Sequence, residues 1–429
     1  MAPAGRPTRR GLVRAAAGLA AAAGLGSGGR AQARIGAELG GSATDQRENL
    51  IEPFWGTHQG GIATPAQTHT YTAALDLVSP KRDDLIRLLR VWTSTAWSMS
   101  AGQPVQPDIT PALPDSGEAT GLPIARLTVT FGFGTGLFVK DGRDHYGLAP
   151  QQPQALIDLP AFNGDQLIDG RTGGDLSVQA CADDPQVAFH AVRQLTRLAH
   201  GVAQLRWAQT GFIAGFGPNE TPRNLMGFKD RTNNPSINDA AAMERFVWVG
   251  DEGPDWMRGG SYVVFRRIRM ALEHWDRMPL DFQEQTFGRH KLSGAPLGRT
   301  NEFDPLDLDA AGEDGNPVIP ESAHVRLAAP ASNDGAQIFR RPYSYNDGVD
   351  FTTERWAPWH QGIEYDAGLF FVCYQRDPRT GFIKIFENMV KFDMLNQFVT
   401  HTGGGLFACP GGIARGEFIG QRLIETAPG

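Results

Sequence analysis

Leu176-Ser177-Val178-Gln179-Ala180-Cys181-Ala182-Asp183-Asp184-Pro185-Gln186-Val187-Ala188 is the stretch on which the fold turns. Leu176–Ala180 is short and apolar at alternate positions, the pattern of a strand with one face buried. Asp183-Asp184-Pro185 then sets an acidic cap with proline in the first turn, which starts a helix. Ala188, Val192, Leu195, Leu198, Val202 and Leu205 recur at helical spacing and predict a long helix that buries one side. A strand feeding an amphipathic helix is the unit of a layered helix-on-sheet fold.

The same order of elements extends in both directions. Upstream, Tyr71, Ala73, Leu75 and Leu77 alternate as on a strand. A helix follows from about Asp83, with Leu85, Leu88, Trp92, Ala96 and Met99 on one face, then a strand over Arg126–Phe131 and a glycine-rich turn, Gly132-Phe133-Gly134. Downstream, a strand near Tyr262–Ile268 and a helix around Phe282–His290 precede the strand Gly368–Tyr374. A helix around Phe386–Phe398 and a short strand, Leu406–Cys409, close the series. Strand, helix and strand, twice in each half, predict an α+β fold of two ferredoxin-like units. Between Pro296 and Ser322 the chain is rich in Asp, Gly and Pro and reads as a loop; a loop of that length inside a compact fold is usually functional.

The chain has 429 residues, enough for two or three domains, and its 41% hydrophobic and 20% charged content is that of a soluble globular protein. No run approaches the roughly 20 apolar residues that span a bilayer. Residues 1–33 stand apart: Arg6, Arg9, Arg10, Arg14 and Arg30 with no acid, an Ala/Gly/Leu stretch from Ala15 to Leu25, and Ala31-Gln32-Ala33 as a small-x-small cleavage pattern. Thr8-Arg9-Arg10 is similar to a twin-arginine signal, so export in folded form to the periplasm or the extracellular space is expected. Removing that segment takes the formal charge from −7 to −12, a poor balance for a partner as acidic as nucleic acid. The three cysteines, Cys181, Cys373 and Cys409, form no CxxC or CxxCH, which argues against a paired-cysteine zinc site and a covalently attached haem. They allow one disulfide at most. Cys373 sits in an apolar run, as a buried structural cysteine does.

Three segments could carry chemistry. Gly227-Phe228-Lys229-Asp230-Arg231-Thr232-Asn233-Asn234-Pro235 is a turn-rich stretch with one acid. Ala323-His324-Val325-Arg326-Leu327-Ala328 puts a histidine at the end of the long loop, and Ile338-Phe339-Arg340-Arg341-Pro342-Tyr343 puts paired arginines sixteen residues later. Taken singly, each has an ordinary structural explanation: a satisfied histidine, a turn aspartate, a solvated arginine pair. Together they match the needs of a peroxide-splitting iron site. Iron takes an imidazole on one face, while an acid/base moves a proton between the peroxide oxygens and a fixed cation stabilises the charge that develops.

Those segments resemble the dye-decolorizing (DyP-type) peroxidase family, and in particular its twin-arginine-exported deferrochelatase/peroxidase branch. Gly227-Phe228-Lys229-Asp230 is similar to the start of the family's GxxDG motif, Ala323–Ala328 to its axial-histidine region, and Phe339-Arg340-Arg341 to its distal-arginine strand. Pro53–Gln59, Gly173–Leu176, Cys181–His190 and Gly403–Phe407 add to the match, which runs from about residue 48 to 425. The resemblance implies two ferredoxin-like domains of the dimeric α+β barrel type, at about 45–215 and 216–429, with haem b held by the second. It implies His324 as axial iron ligand, Asp230 as distal acid/base and Arg340 as distal arginine. Arg231, Thr232, Asn233, Ala329, Pro330 and Ala331 would line the haem, and Glu387 is the carboxylate suggested for the second N–H of His324.

The activity so implied is reduction of hydrogen peroxide with oxidation of a phenolic or dye-like small molecule. Release of iron from haem with the porphyrin intact is the alternative, and haem binding without catalysis a third. Other components of an iron-uptake system and a second copy of the chain are the protein partners this resemblance allows. Trp356 and Trp359 are candidates for passing electrons to bulky substrates, although ordinary packing explains tryptophans as well. Two positions depart from the family: the glycine that closes GxxDG is Arg231, and the glycine usual after the arginine pair is Pro342. Neither replacement offers the positive φ and close approach of glycine as readily.

Overall fold

A computed structural model describes residues 50–105, 114–214, 220–353 and 361–426. The amino-terminal segment 1–33 and both Trp356 and Trp359 lie outside the described residues. The first half contributes β1 (His69–Leu77), β2 (Thr128–Phe133), β3 (Leu176–Ala182) and β4 (Ala203–Phe212). The second contributes β5 (Ser261–Met270), the two-residue β6 (Phe339–Arg340), β7 (Tyr343–Thr353), β8 (Gln361–Gln375) and β9 (Val399–Cys409). All form one antiparallel sheet in the order β5-β9-β2-β3-β1-β4-β7-β8-β6. Because β5 also pairs with β8, eight of the strands close into a ring.

Within the ring the two halves have one strand order. β2-β3-β1-β4 in the first corresponds to β7-β8-β5-β9 in the second: in each, the opening strand is flanked by the third and the last. The halves meet at two narrow seams, Phe212 against Ser344 and Phe133 against Ala408. Buried Arg341 reinforces the junction by donating to the carbonyl of Thr64 and, at 2.8 Å, to Gln67 Oε1. The overall architecture is therefore a mixed helix and sheet fold, as the alternation of patterns predicts.

In the first half, helices Arg82–Ser100 and Pro185–Leu198 pack on the sheet. Leu85, Leu88, Trp92 and Ala96 of one and Val187, Ala188, Val192 and Leu195 of the other join a single core with Leu75, Phe131 and Val178. Asp184 caps the second helix by accepting from the amides of Gln186 and Val187. That helix ends seven residues before the expected limit. The turn at Gly201 (φ +80°) redirects the chain, and Val202 and Leu205 belong to the approach and body of β4.

The second half is longer between its first two strands. The expected helix at Phe282–His290 spans Leu280–Phe287 and is stopped by Gly288 at φ +79°. The helix expected at Phe386–Phe398 spans Phe382–Phe392, where Asp393 leaves the helix and caps a short 3₁₀ turn, Met394–Gln397. Gly132 and Phe133 lie within β2 rather than in a turn, and β9 extends back to Val399 through three glycines. Gly404 takes φ +137°, and a Cβ there would stand 1.9 Å from the carbonyl oxygen of Phe265, so the strand pair needs glycine at that position. All three cysteines are buried and unpaired. Cys373 is thus a structural core residue, and the one allowed disulfide does not form.

Candidate active site

One cavity in the second half collects the segments singled out above. Its walls are apolar: Ile268 and Met270 from β5, Leu369 and Phe371 from β8, Phe287, and Ile385 and Phe386 from helix Phe382–Phe392. Asp230, Arg231, Thr232, Asn233, His324, Ala329, Pro330 and Arg340 also line it. Ala331 does not; it is exposed on the short turn Pro330–Ser332.

His324 is the first residue of a five-residue helix, His324–Ala328, that ends the long loop. Its Nδ1 lies 2.7 Å from Oδ2 of Asp393. The Asp393 side chain is 2% exposed, and its other oxygen accepts from the amide of Leu395 at 2.9 Å. A carboxylate held this way accepts the Nδ1 hydrogen, which fixes the ring and leaves the Nε2 lone pair for a metal. Behind the ring, Phe287 (5.8 Å between centroids) belongs to a cluster with Phe228, Trp275, Leu395 and Phe398 that holds the helix in place. Glu387 is not the partner: it is exposed, on the outward side of a helix whose Phe382 and Phe386 point inward. The signal for Asp393 was its position as an N-cap, an acid directly after an apolar run, which marks a new turn rather than a ligand partner.

Asp230 and Arg340 form the second braced pair in the cavity. Arg340 Nη1 donates to Asp230 Oδ1 at 2.9 Å, and that oxygen also accepts from the amide of Arg231 at 2.6 Å. The side chains are 12% and 26% exposed, so the pair keeps a face open to the cavity. Arg340 sits on β6, which pairs with β8 on one side only (Phe339 with Tyr374, Arg340 with Cys373). On its other side the amide of Asn234 acts as a substitute strand. It accepts from the Arg340 N–H at 2.8 Å and donates to the Arg340 carbonyl at 3.1 Å. Asn234 therefore ties the turn that carries the acid to the strand that carries the cation, a role that residue type alone did not reveal.

Arg231 takes φ +67°, a left-handed conformation open to glycine without penalty and reached by arginine at some steric cost. Its Nη2 donates to the carbonyl of Pro342 at 2.8 Å, joining the two departures from the family pattern to each other. Burial brings its pKa down to about 10, with Tyr343 and Asp230 acting to raise it and Arg341 and Arg340 to lower it. Thr232 donates to Glu302 Oε1 at 2.9 Å, Lys229 lies 3.6 Å from Oε2, and Arg289 donates to the Glu302 carbonyl at 2.9 Å. Glu302 comes from the loop 296–322, so part of that loop's work is to brace the Asp230 turn.

The donor set fits haem. Apolar walls suit a macrocycle, and a single buttressed imidazole suits a haem iron. The Asp230–Arg340 pair supplies an acid/base and a fixed cation in the same cavity.

Comparison with known proteins follows this geometry. Residues 59–213 match the family model described as Dyp-type peroxidase, N-terminal, and residues 221–414 that described as Dyp-type peroxidase, C-terminal. The chain is similar to the dye-decolorizing peroxidase of Thermobifida fusca (strain YX), 38% identical over 383 residues, covering 86% of this chain and 84% of that one. It is similar to the deferrochelatase of Escherichia coli (strain K12), 35% identical over 432 residues, covering 98% and 97%. Among solved structures, a DyP-type peroxidase from Streptomyces coelicolor superposes with a TM-score of 0.80 at 42% identity, covering 89% of this chain and 98% of the other. Ferric DtpA from Streptomyces lividans gives 0.79 at 41%, with the same coverage.

Proposed function

Because the chain belongs to the DyP-type peroxidase family, haem-dependent oxidoreductases that use hydrogen peroxide, we propose that Asp230 and Arg340 carry its peroxide chemistry and His324 its iron. The observation that bears most weight is the convergence of two braced pairs, Asp230 with Arg340 and His324 with Asp393, on one apolar cavity. Arg231, Thr232, Asn233, Ala329 and Pro330 line the cofactor in this reading, and exposed Ala331 does so through its backbone at most.

Haem b, held by His324 in this cavity, would supply the two electrons that reduce hydrogen peroxide to water, to be restored by a phenolic or dye-like reductant. The chain's own residues handle position, charge and protons. Asp230 would accept a proton from one peroxide oxygen and deliver it to the other, which leaves as water. Arg340 holds the Asp230 carboxylate in register and offers a fixed positive charge to the breaking O–O bond. Asp393 keeps the His324 Nδ1 hydrogen, so the Nε2 lone pair stays aimed and basic.

Each half is read as a ferredoxin-like unit, with limits near 45–215 and 216–429, joined as in a dimeric α+β barrel; the matching strand orders support this. Export of the folded, loaded protein by the twin-arginine route is supported by Arg9-Arg10 and the cleavage pattern at Ala31–Ala33. No helix among the described residues is long and apolar enough to cross a membrane. A second reading, release of iron from haem, is favoured by the near end-to-end match to the E. coli deferrochelatase, and iron-uptake components would then be its partners. The deciding experiment mixes the purified haem protein with hydrogen peroxide in stopped flow and follows the Soret band. Rapid conversion and return on adding a phenol supports the peroxidase. Unchanged Soret absorbance under peroxide, with metal-free porphyrin fluorescence appearing on incubation with haem, supports iron release in its place.

A further inference from the structure

Away from the cavity, three side chains of the first half converge with chemistry that the peroxidase reading does not use. His190 lies on helix Pro185–Leu198, and Asp115 and Glu118 lie three apart on the connection that precedes β2. One donor atom from each can be chosen so that all lie within 4.8 Å of one another. His190 Nε2 is 3.5 Å from Asp115 Oδ2, and Nδ1 is 3.3 Å from Glu118 Oε1. The histidine is 6% exposed, and its Nδ1 faces the Glu118 carboxylate without making a hydrogen bond. Buried polar atoms without a partner are uncommon and ask for a missing one.

We propose that Asp115, Glu118 and His190 form a site for a first-row divalent cation, with Zn2+ the best match. One imidazole and two carboxylates are the donors that zinc takes at about 2.0–2.2 Å, with water completing a tetrahedron. An imidazole ligand disfavours calcium and magnesium, which take oxygen. The neighbouring contacts fit this use. Arg193 Nη1 stands 3.0 Å from Glu118 Oε2, leaving Oε1 to face the histidine. Gln194 Nε2 donates to Asp115 Oδ1 at 3.1 Å, leaving Oδ2. Such outer partners orient the ligating oxygens. The Glu118 carboxyl is buried, which alone would raise its pKa, but Ser116, its own backbone amide, Arg193 and His190 bring it to about 2; it is ionised wherever the protein works. A bound cation would staple the 114–121 segment to the helix, on the half of the molecule without the cavity.

The rival account is a protonated His190 bracketed by two carboxylates with no metal at all. Zinc titration of the full haem-loaded protein against a chromophoric chelator separates the two. Wild type should bind one equivalent beyond its iron, and Glu118→Gln and Asp115→Asn should each weaken that binding by at least about 10-fold, with the Soret spectrum unchanged. X-ray absorption at the zinc edge should report one imidazole among oxygen ligands. Wild type binding zinc no more tightly than Glu118→Gln would overturn the site, and so would a zinc spectrum without imidazole.

Discussion

The two halves of the ring share a strand order and differ in what fills the space over the sheet. Between β1 and β2 the chain runs one 19-residue helix, Arg82–Ser100, whose Leu85, Leu88, Trp92 and Ala96 are buried to the last few per cent. Trp92 stacks on Phe131 and donates its indole N–H to the Leu195 carbonyl at 2.8 Å, so the two helices and the sheet lock together. Between β5 and β7 the equivalent connection is broken into Leu272–Trp275, Leu280–Phe287 and His324–Ala328, with the long loop between the last two. Short helices cannot cover the sheet as one long helix does. The uncovered space is the cavity, and the last of the broken pieces begins with His324, whose partner Asp393 comes from the connection between β8 and β9. One half spends its connection on a core, the other on a site.

His324→Ala tests that division most severely. It should abolish stable haem incorporation while leaving the far-ultraviolet dichroism of the folded chain in place. Full Soret absorbance with unchanged iron content would remove His324 from the site. Asp230→Asn should keep haem but slow the reaction with peroxide by about 10²–10⁴-fold, the usual worth of a positioned acid/base. Arg340→Leu should cost about 10²–10³-fold, as for one preorganised charge-stabilising group. Stopped-flow rates at wild-type level in both variants would show the pair to be structural.

In the filled half the expectation reverses. Trp92→Ala should lower the unfolding free energy by about 3–5 kcal/mol, the typical cost of emptying a large aromatic site. Chemical denaturation measures this, while haem per folded molecule and its peroxide rate stay as they were. A variant that lost haem without losing stability would mean that the halves do not divide their work in this way.

Arg231→Gly should have the smallest effect. It relieves a left-handed arginine, at about 1–2 kcal/mol, and loses a charged hydrogen bond to Pro342 of about 1.5–3 kcal/mol, so the two nearly cancel. Stability should therefore shift by about 1 kcal/mol or less, with haem content and the pH–rate profile close to wild type. A marked loss of haem would mean that the guanidinium leaves Pro342 to hold the cofactor.

The filled half was the more legible in sequence. Alternation in β1 and β3, helical spacing after Asp83 and the cap at Asp184 are local signals, and the elements that they predict form. The helix read through to Leu205 shows the limit, because periodicity continued past a glycine turn that ended it. In the open half, local pattern located the pieces but not their relations. His324, Asp230 and Arg340 were visible as segments and joined only by a family pattern, since nothing in spacing brings residues 94 and 110 apart into one cavity. Asp393, Asn234 and Glu302 were missed because each acts through contacts made in three dimensions, and each has the sequence appearance of an ordinary cap or loop residue. Glu387, the carboxylate suggested from sequence, lies on the helix that precedes Asp393 but on its exposed side, because Phe382 and Phe386 take the inward one.

A sheet that returns on itself has one further consequence. Each strand of the ring has a neighbour on both sides, although at the two seams, Phe212 with Ser344 and Phe133 with Ala408, the contact is a single residue pair. The strand order ends at β6, and there Asn234 occupies the hydrogen-bonding positions of Arg340 on the side away from β8. The contact that ties the Asp230 turn to Arg340 thus also covers the outer edge of the last strand, a place where another chain's strand would otherwise pair.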